Sequence, residues 1–301
     1  MKRRPTTLVG LLWRLVVLRG YGPLVVLVLA VALFALCRAG ANSSSQASEP
    51  LRVASFNIEF FPQNDRQVRE AFRVIETLEV SALGVQEITD TRRFAREATE
   101  RLGRSWKFVH QEAGGGARSK LHIGVLYDDR VYELRSVTSR RGTRVDHKTH
   151  PTFQVDLRER TTGSALTLLV VHFKAMAEGR ATRAKQFLAL GSIISAVHRR
   201  TRRIVVMGDF NATEPGDRDD LRALAERTTL EWATEELACS AFWERENDCP
   251  TSRLDHLLSS VTPSNVAARG GCEAGCEDRS SCPVYRQTVS DHCPVVLELS
   301  E

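Results

Sequence analysis
The chain lacks an apolar run of the roughly 20 residues that a bilayer-crossing helix takes. Its apolar stretch Leu24–Leu36 has 13 residues. Acidic residues are missing from the start: residues 1–41 hold Lys2, Arg3, Arg4, Arg14, Arg19 and Arg38 and no Asp or Glu. Those are six of the 42 basic residues, and the 36 that remain face 37 acidic ones. The net charge of +5 therefore belongs to the leader. The nearly neutral body carries no global charge that argues for a nucleic-acid partner, although a local basic patch stays compatible with one. Internal repeats and a second linker are also absent. With 42% hydrophobic and 26% charged residues, the composition is that of an ordinary globular protein.

The basic start, the apolar run and the small-residue site Ala39-Gly40-Ala41 read as an export signal over residues 1–41. A second apolar stretch, Leu8–Leu18, interrupted by Arg14, keeps an uncleaved membrane anchor open as the alternative. Cys37 follows Leu36, and a lipoprotein cysteine prefers a small residue before it, so lipidation is not expected. Residues 42–50 form a Ser-rich linker with no means of building a core. Residues 51–301 read as one domain. The leader argues for a location outside the cytoplasm, secreted or periplasmic, or held at the membrane by the N-terminal segment. Six cysteines lie beyond the leader: Cys239, Cys249, Cys272, Cys276, Cys282 and Cys293. In an oxidising compartment they are expected as disulfides. Cys239–Cys249 would close a short loop, and the other four crowd into 272–293. Zinc is the rival reading, on the Cys272-x3-Cys276 spacing, but the later spacings are irregular.

The apolar pattern alternates between periods. Strands are expected at Leu51–Ile58, Leu83–Gln86, Trp106–Val109, Ile123–Tyr127, Val131–Val137, Thr152–Leu157, Leu166–Val171, Ile204–Met207, Leu254–Leu258 and Val295–Leu299. Helical spacing marks Arg66–Leu78, Thr91–Leu102, Arg183–His198 and Asp219–Arg227. Many strands with a few outer helices imply two packed sheets flanked by helices.

Several of these strands stop on polar residues, which rigid backbone can aim at a ligand. Ile204–Met207 runs into Gly208-Asp209-Phe210-Asn211. Residues two apart in extended chain face one side, so Asp209 and Asn211 converge. A carboxylate orients and deprotonates water, and an amide holds that water or a phosphate oxygen. Asp255 sits inside the apolar strand Leu254–Leu258, where a carboxylate is costly without a partner. His292, in Ser290-Asp291-His292-Cys293-Pro294, is a fitting partner, its tautomer and charge then set by the carboxylate. Asn57 follows an apolar strand start and Glu87 ends a strand. Hard cations such as Mg2+ take carboxylate oxygens together with waters and phosphate oxygens. His172 ends another strand, with Lys174 two residues on, and both are donors for a phosphate oxygen.

In this order, FNIEF, VQE, VHFK, GDFN, RLDH and SDHCPV resemble the motifs of the endonuclease/exonuclease/phosphatase superfamily. Its members include pancreatic-type deoxyribonucleases, abasic-site endonucleases, neutral sphingomyelinases and inositol polyphosphate phosphatases. The likeness covers essentially all of residues 51–299. It implies an α/β (α+β) fold, a four-layer αββα sandwich of two mainly antiparallel sheets flanked by helices. It implies a metal site of Glu87 and Asn57, with Asp291 as a further ligand, for Mg2+, or Mn2+ or Ca2+ in its place. Asp209 would orient or deprotonate the attacking water and Asn211 would position it. His292, held by Asp255, would stabilise the transition state or act as acid/base, and His172 would contact the phosphate. Arg183 and Gln186 match the family's R-x-x-Q pattern and read as packing behind the site.

The favoured reading is a Mg2+-dependent phosphodiesterase outside the cytoplasm, a nuclease acting on DNA or RNA as a monomer. A sphingomyelinase-like phospholipase C and a phosphomonoesterase are the alternatives, and a non-catalytic binding module is the alternative of another class. VHFK and the loop Gly114–Lys120, with Arg118 and Lys120 beside Lys174 as substrate contacts, favour the nuclease. The lipase would carry a long exposed aromatic hairpin. Phe242-Trp243, inside the expected Cys239–Cys249 loop, either stacks on substrate or packs beside the Asp255 strand. His147 and His150 read as surface residues of a polar turn.

Overall fold
Burial along the first strand explains the architecture. Val53, Ser55 and Asn57 turn to one face, and Ala54, Phe56 and Ile58 to the other, and all six are buried. A strand covered on both faces needs a layer on each side. The computed structural model describes residues 51–111, 121–273, 275–277 and 280–300. The segments read as an export leader and a linker, with Cys37, and the expected substrate contacts Arg118 and Lys120 lie outside them.

The element order is β1 (Leu51–Phe61), α1 (Asp65–Thr77), β2 (Ala82–Ile88), α2 (Thr91–Arg101), β3 (Trp106–His110), β4 (His122–Asp128), β5 (Tyr132–Arg140), β6 (Thr152–Glu159), β7 (Ala165–His172), α3 (Arg180–His198), β8 (Ile204–Asp209), α4 (Pro215–Thr228), β9 (Glu231–Trp232), β10 (Ala241–Phe242), β11 (Thr251–Ser252), β12 (Asp255–Ser259), β13 (Pro263–Ala268), α5 (Val284–Thr288) and β14 (Val295–Leu299). One sheet runs β13-β14-β1-β2-β4-β3 and the other β5-β6-β7-β8-β12-β9. Neighbours are antiparallel except β1–β2 and β7–β8. A parallel pair needs a long crossover, which α1 and α3 supply.

Val53, Val125, Val170, Met207, Leu257 and Leu297 fill the space between the sheets. Phe56, Phe72 and Phe94 pack α1 and α2 on the first sheet. Phe187, Leu190, Phe210 and Leu221 pack α3 and α4 on the second. The result is the expected four layers, helix–sheet–sheet–helix. Among the described residues no helix is long and apolar enough to cross a membrane.

Helix starts depart from apolar periodicity where capping decides. Helix α4 begins at Pro215 rather than Asp219, because Glu214 and Asp217 form a reciprocal capping box with Pro in the first turn. Helix α3 begins at Arg180, and its buried Arg183 grips buried Asp217 of α4 through two bonds, 3.0 and 2.7 Å. The same guanidinium donates to the carbonyls of Lys174 (2.9 Å) and Met176 (2.6 Å). Every face of this buried ion pair is hydrogen-bonded, the condition under which such a pair is tolerated. It fixes the turn that follows β7.

The expected Cys239–Cys249 loop is not formed. The pairs are Cys239–Cys276, Cys249–Cys282 and Cys272–Cys293. The hairpin β10–β11 already closes that loop with backbone bonds, Ser240 N to Ser252 O and Trp243 N to Pro250 O, both 2.8 Å. Both cysteines thereby reach the 272–293 segment instead. With six thiols in three bonds, the zinc reading falls. Phe242 is buried within this cluster, and Trp243 is 44% exposed beside it.

The Cys272–Cys293 bridge closes a separation of 21 residues. A Cys272→Ser/Cys293→Ser variant is expected to lose about 3 kcal/mol of unfolding free energy, read from urea denaturation. An unchanged midpoint, or six titratable thiols in the unreduced protein, contradicts the pairing.

Candidate active site
Two parallel pairs, one in each sheet, end close together. Strand β1 carries Asn57 and β2 carries Glu87, while β7 ends on His172 and β8 on Asp209. The pairs meet across the sandwich. Asn57 Nδ2 donates to Asp209 Oδ2 at 3.2 Å and lies 3.4 Å from Glu87 Oε1. His172 Nε2 stands 3.6 Å from Glu87 Oε1 and 3.5 Å from Asp209 Oδ2.

Local backbone makes these positions reachable. Along β2 the alternation turns Gln86 toward the inter-sheet space, where it bonds Ser55. Glu87 should then turn outward. A register break in the β1–β2 pairing and a left-handed φ of 62° at Glu87 swing it inward instead. Such backbone is uncommon for a residue with a side chain and is kept where surrounding structure enforces it. Asn211 is also left-handed, at φ 50°, which aims its Nδ2 back at Asp209 Oδ2 (2.8 Å). Gly208, at φ 142°, is required: a Cβ there would lie 2.0 Å from the Val171 carbonyl oxygen.

Strand β12 pairs with β8 so that Asp255 lies directly opposite Asp209. Like charges opposite each other destabilise a sheet. His292 relieves them. Its Nδ1 lies 2.7 Å from Asp255 Oδ2, and its Nε2 lies 3.9 Å from Asp209 Oδ2. Burial alone would lower the His292 pKa. The carboxylates of Asp255, Asp291 and Asp209 outweigh burial and hold the imidazole protonated, well above its ordinary range. Asp209 moves the other way from a usual carboxylate: burial raises it, against the charge of His292. Glu87 is raised by burial too, with His292 opposing. His172 is lowered well below the ordinary imidazole value by burial, then by His150 and His292, and is neutral.

Further residues join the site that motif reading did not single out for it. Glu59 lies two beyond Asn57, so period-two alternation was the signal for it. It pairs with Arg286 of α5 at 2.7 Å. Ser240 donates to Asp255 Oδ2 (2.8 Å) and accepts from the Leu254 and Asp255 amides. Ser290 donates to the Asn57 carbonyl (2.8 Å) and accepts from the His292 amide (3.1 Å). Ser290 stands in the SDHCPV motif, where it was given no task, and no pattern in the sequence marks Ser240. His150, read as surface, is half-buried and stacks on His172, rings 5.2 Å apart and 7° from parallel. Burial is the main force lowering its pKa to about 4. The turn before β6 folds onto the strand end, which local polarity does not reveal. Lys174 lines the cavity next to His172. Asp291 is half-buried beside His292, with Ser290 Oγ at 3.3 Å.

The donor set suits a hard cation. Asn57 Oδ1 is buried with no hydrogen-bond partner, while its own Nδ2 is engaged. An unsatisfied amide oxygen next to buried carboxylates is an oxygen-ligand set of the kind Mg2+ takes. Among the described residues, Asp209, Asp255 and His292 bring ligand atoms within 4.8 Å of one another. In that cluster the Asp255–His292 bond occupies Asp255 Oδ2 and leaves Asp255 Oδ1 buried without a partner, but a cation there would sit against a charged imidazole. The Glu87–Asn57 side is the better fit.

The sequence matches the family model described as "Endonuclease/Exonuclease/phosphatase family" over residues 54–292. A comparison with curated protein sequences gives no match. Similar solved structures include D. rerio TDP2 complexed with a single-strand DNA product, at 14% identity and TM-score 0.63, covering 84% of this chain and 100% of that one. The human Nocturnin catalytic domain with bound sulfate has 16% identity and TM-score 0.62, covering 83% and 94%. A Bacteroides thetaiotaomicron mannosyl-6-phosphatase has 16% identity and TM-score 0.58, covering 83% and 100%. At these identities the structures share the fold.

A His292 pKa above the unfolded value means that its pairing stabilises the fold fully below about pH 6.5 and is lost as pH rises through the folded value. Nitrogen-15 NMR of the imidazole is expected to show both nitrogens protonated across neutral pH, and Asp255→Asn to bring the titration down. An ordinary titration in the wild type contradicts the pairing.

Proposed function
The chain belongs to the endonuclease/exonuclease/phosphatase family, and on that premise we propose that it hydrolyses a phosphodiester with the help of a divalent cation. The observation that carries this reading is the convergence of Asp209, Asn211 and the Asp255–His292 pair on the space beside Asn57 and Glu87.

Each residue has a task that follows from its state. Asp209, raised by burial, is a carboxylate able to accept a proton from water. Asn211 donates to Asp209 from both its backbone amide and its side chain, at 2.8 Å each, and so orients the carboxylate. His292, held in place at Nδ1 by Asp255, keeps a proton at Nε2 for the phosphate oxygen on which charge develops. Neutral His172 can donate its ring N–H to an anionic phosphate without placing another positive charge beside the cation. Glu87, Asn57 and Asp291 would hold Mg2+, with Mn2+ or Ca2+ as substitutes. When bound, the cation polarises the phosphoryl oxygens and balances the negative charge on them.

Lys174 and its neighbour Lys148 line the cavity beside this centre, which supports an ester with more than one anionic group and hence a nuclease. The single-strand DNA product bound to the TDP2 structure is consistent with that reading for the shared fold. Three disulfides support an oxidising location outside the cytoplasm.

Asp209→Ala and His292→Ala are each expected to lower kcat on an oligonucleotide by at least about a hundredfold, with cooperative unfolding retained. EDTA is expected to abolish turnover and Mg2+ to restore it. Near-normal activity in either variant, or turnover that resists the chelator, contradicts the proposal.

A further inference from the structure
Beside Glu87 and His172 lies a cavity of about 550 Å3. That is the size of a small-ligand site. Its walls divide by chemistry. Phe60, Leu121 and Phe173 supply apolar surface, Lys148 and Lys174 supply positive charge, and the reaction centre closes one end.

Phe60 is the unusual member. Its side chain is 53% exposed and joins none of the core clusters. Among the described residues, it is the one exposed large hydrophobic on this cavity. Its backbone is left-handed, at φ 50°, a conformation that disfavours a bulky residue. The Phe60 amide donates to Glu87 Oε2 at 3.2 Å. Holding Glu87 in this way asks for a backbone amide and a left-handed turn, which glycine would give without strain. The fold therefore carries an aromatic ring at this lip that neither its packing nor its backbone requires.

The two lysines point the same way. Neither Lys148 nor Lys174 forms an ion pair among the described residues. Lys174 acts electrostatically on His172, the group at the reaction end. The cavity thus offers, side by side, a reaction centre for one phosphate, a flat apolar platform and unpaired positive charge.

We propose that this cavity is a nucleobase subsite. The base next to the scissile phosphate lies on the Phe60 ring, and Lys148 and Lys174 hold the adjoining phosphate of the strand. The inference rests on the phosphodiesterase reading above and names its substrate class, a single nucleic-acid strand. Other esters fit the walls less well. A phosphocholine headgroup would bring its own cation toward two lysines. A hexose monophosphate brings no second anion for them. A strand brings phosphates and flat rings together, one group for each kind of wall. Stacking on one aromatic ring accepts every base, so the subsite selects nucleic acid without reading sequence.

The test uses the disulfide-intact protein in Mg2+ with two strands of equal length, an oligonucleotide and a base-free sugar-phosphate chain. The wild type is expected to favour the oligonucleotide by about tenfold or more in kcat/KM, from stacking on the ring. Phe60→Ala brings that ratio near unity, and Phe60→Trp restores it. Fluorescence anisotropy with end-labelled strands on Asp209→Ala, expected to turn over too slowly to consume the strand during the measurement, separates subsite from chemistry. If the wild type cleaves neither strand, yet Asp209→Ala binds the oligonucleotide more tightly and a further Phe60→Ala removes the difference, the subsite stands and the phosphodiesterase reading fails. If the wild type cleaves both strands equally, or Phe60→Ala keeps the preference, the subsite is overturned and the phosphodiesterase reading stands. Equal or absent binding of both strands, or faster hydrolysis of sphingomyelin than of the oligonucleotide, also overturns it.

Discussion
The hydrogen bond between Asp255 and His292 ties the two halves of the sandwich together at the point where charge is most concentrated. Asp255 belongs to β12 in one sheet, and His292 precedes β14 in the other. Without the imidazolium, Asp255 and Asp209 would face each other as buried like charges across adjacent strands. With it, one cation serves both. The surrounding structure secures this one contact. Ser240 bonds Asp255 from behind, and the Cys293 amide donates to the Ser240 carbonyl at 2.7 Å. The Tyr285 hydroxyl donates to the His292 carbonyl at 3.0 Å. Cys239 and Cys293, the neighbours of Ser240 and His292, are both in disulfides. The cysteine-rich lobe is thus a clamp on the pair as well as a staple for the chain.

The rest of the site is assembled at a cost to the fold. Burial raises the carboxyl groups of Glu87 and Asp209, and each such group would be more stable in water. Phe60, Glu87 and Asn211 hold left-handed backbone, Phe60 bonded to Glu87 and Asn211 to Asp209. An amide oxygen of Asn57 is left without a partner. Strain and unsatisfied groups cluster where a ligand is to be received, and the three apolar cores carry the stability that offsets them. A divalent cation would answer several of these deficits together, since it satisfies an oxygen donor and neutralises buried carboxylates.

What was legible in the sequence followed from short-range physics. Period-two and helical spacing located the central strands and helices, because a buried element must be apolar on the face it buries. Asn57, His172, Asp209 and Asp255 were visible because each is a polar residue within or at the end of an apolar run. What stayed hidden depends on long-range pairing. The inward swing of Glu87 comes from a register break against β1, which its own segment does not encode. The disulfide partners are set by the β10–β11 hairpin and not by cysteine spacing. His150 sits in a polar turn whose docking on His172 is decided by how β6 and β7 pair. Helix starts moved by up to four residues where a capping box, at Glu214 and Asp217, overrode apolar periodicity.

The proposed cation-dependent phosphoester site draws residues from both sheets, with Glu87 and Asn57 on the cation side and Asp209 and His292 on the proton side. Calorimetric titration of the disulfide-intact protein with Mg2+ alone tests it most directly. The account predicts saturable binding by the wild type, lost in Glu87→Ala and retained in His292→Ala. Binding that survives Glu87→Ala, or that disappears with His292→Ala while Glu87 is intact, would contradict it.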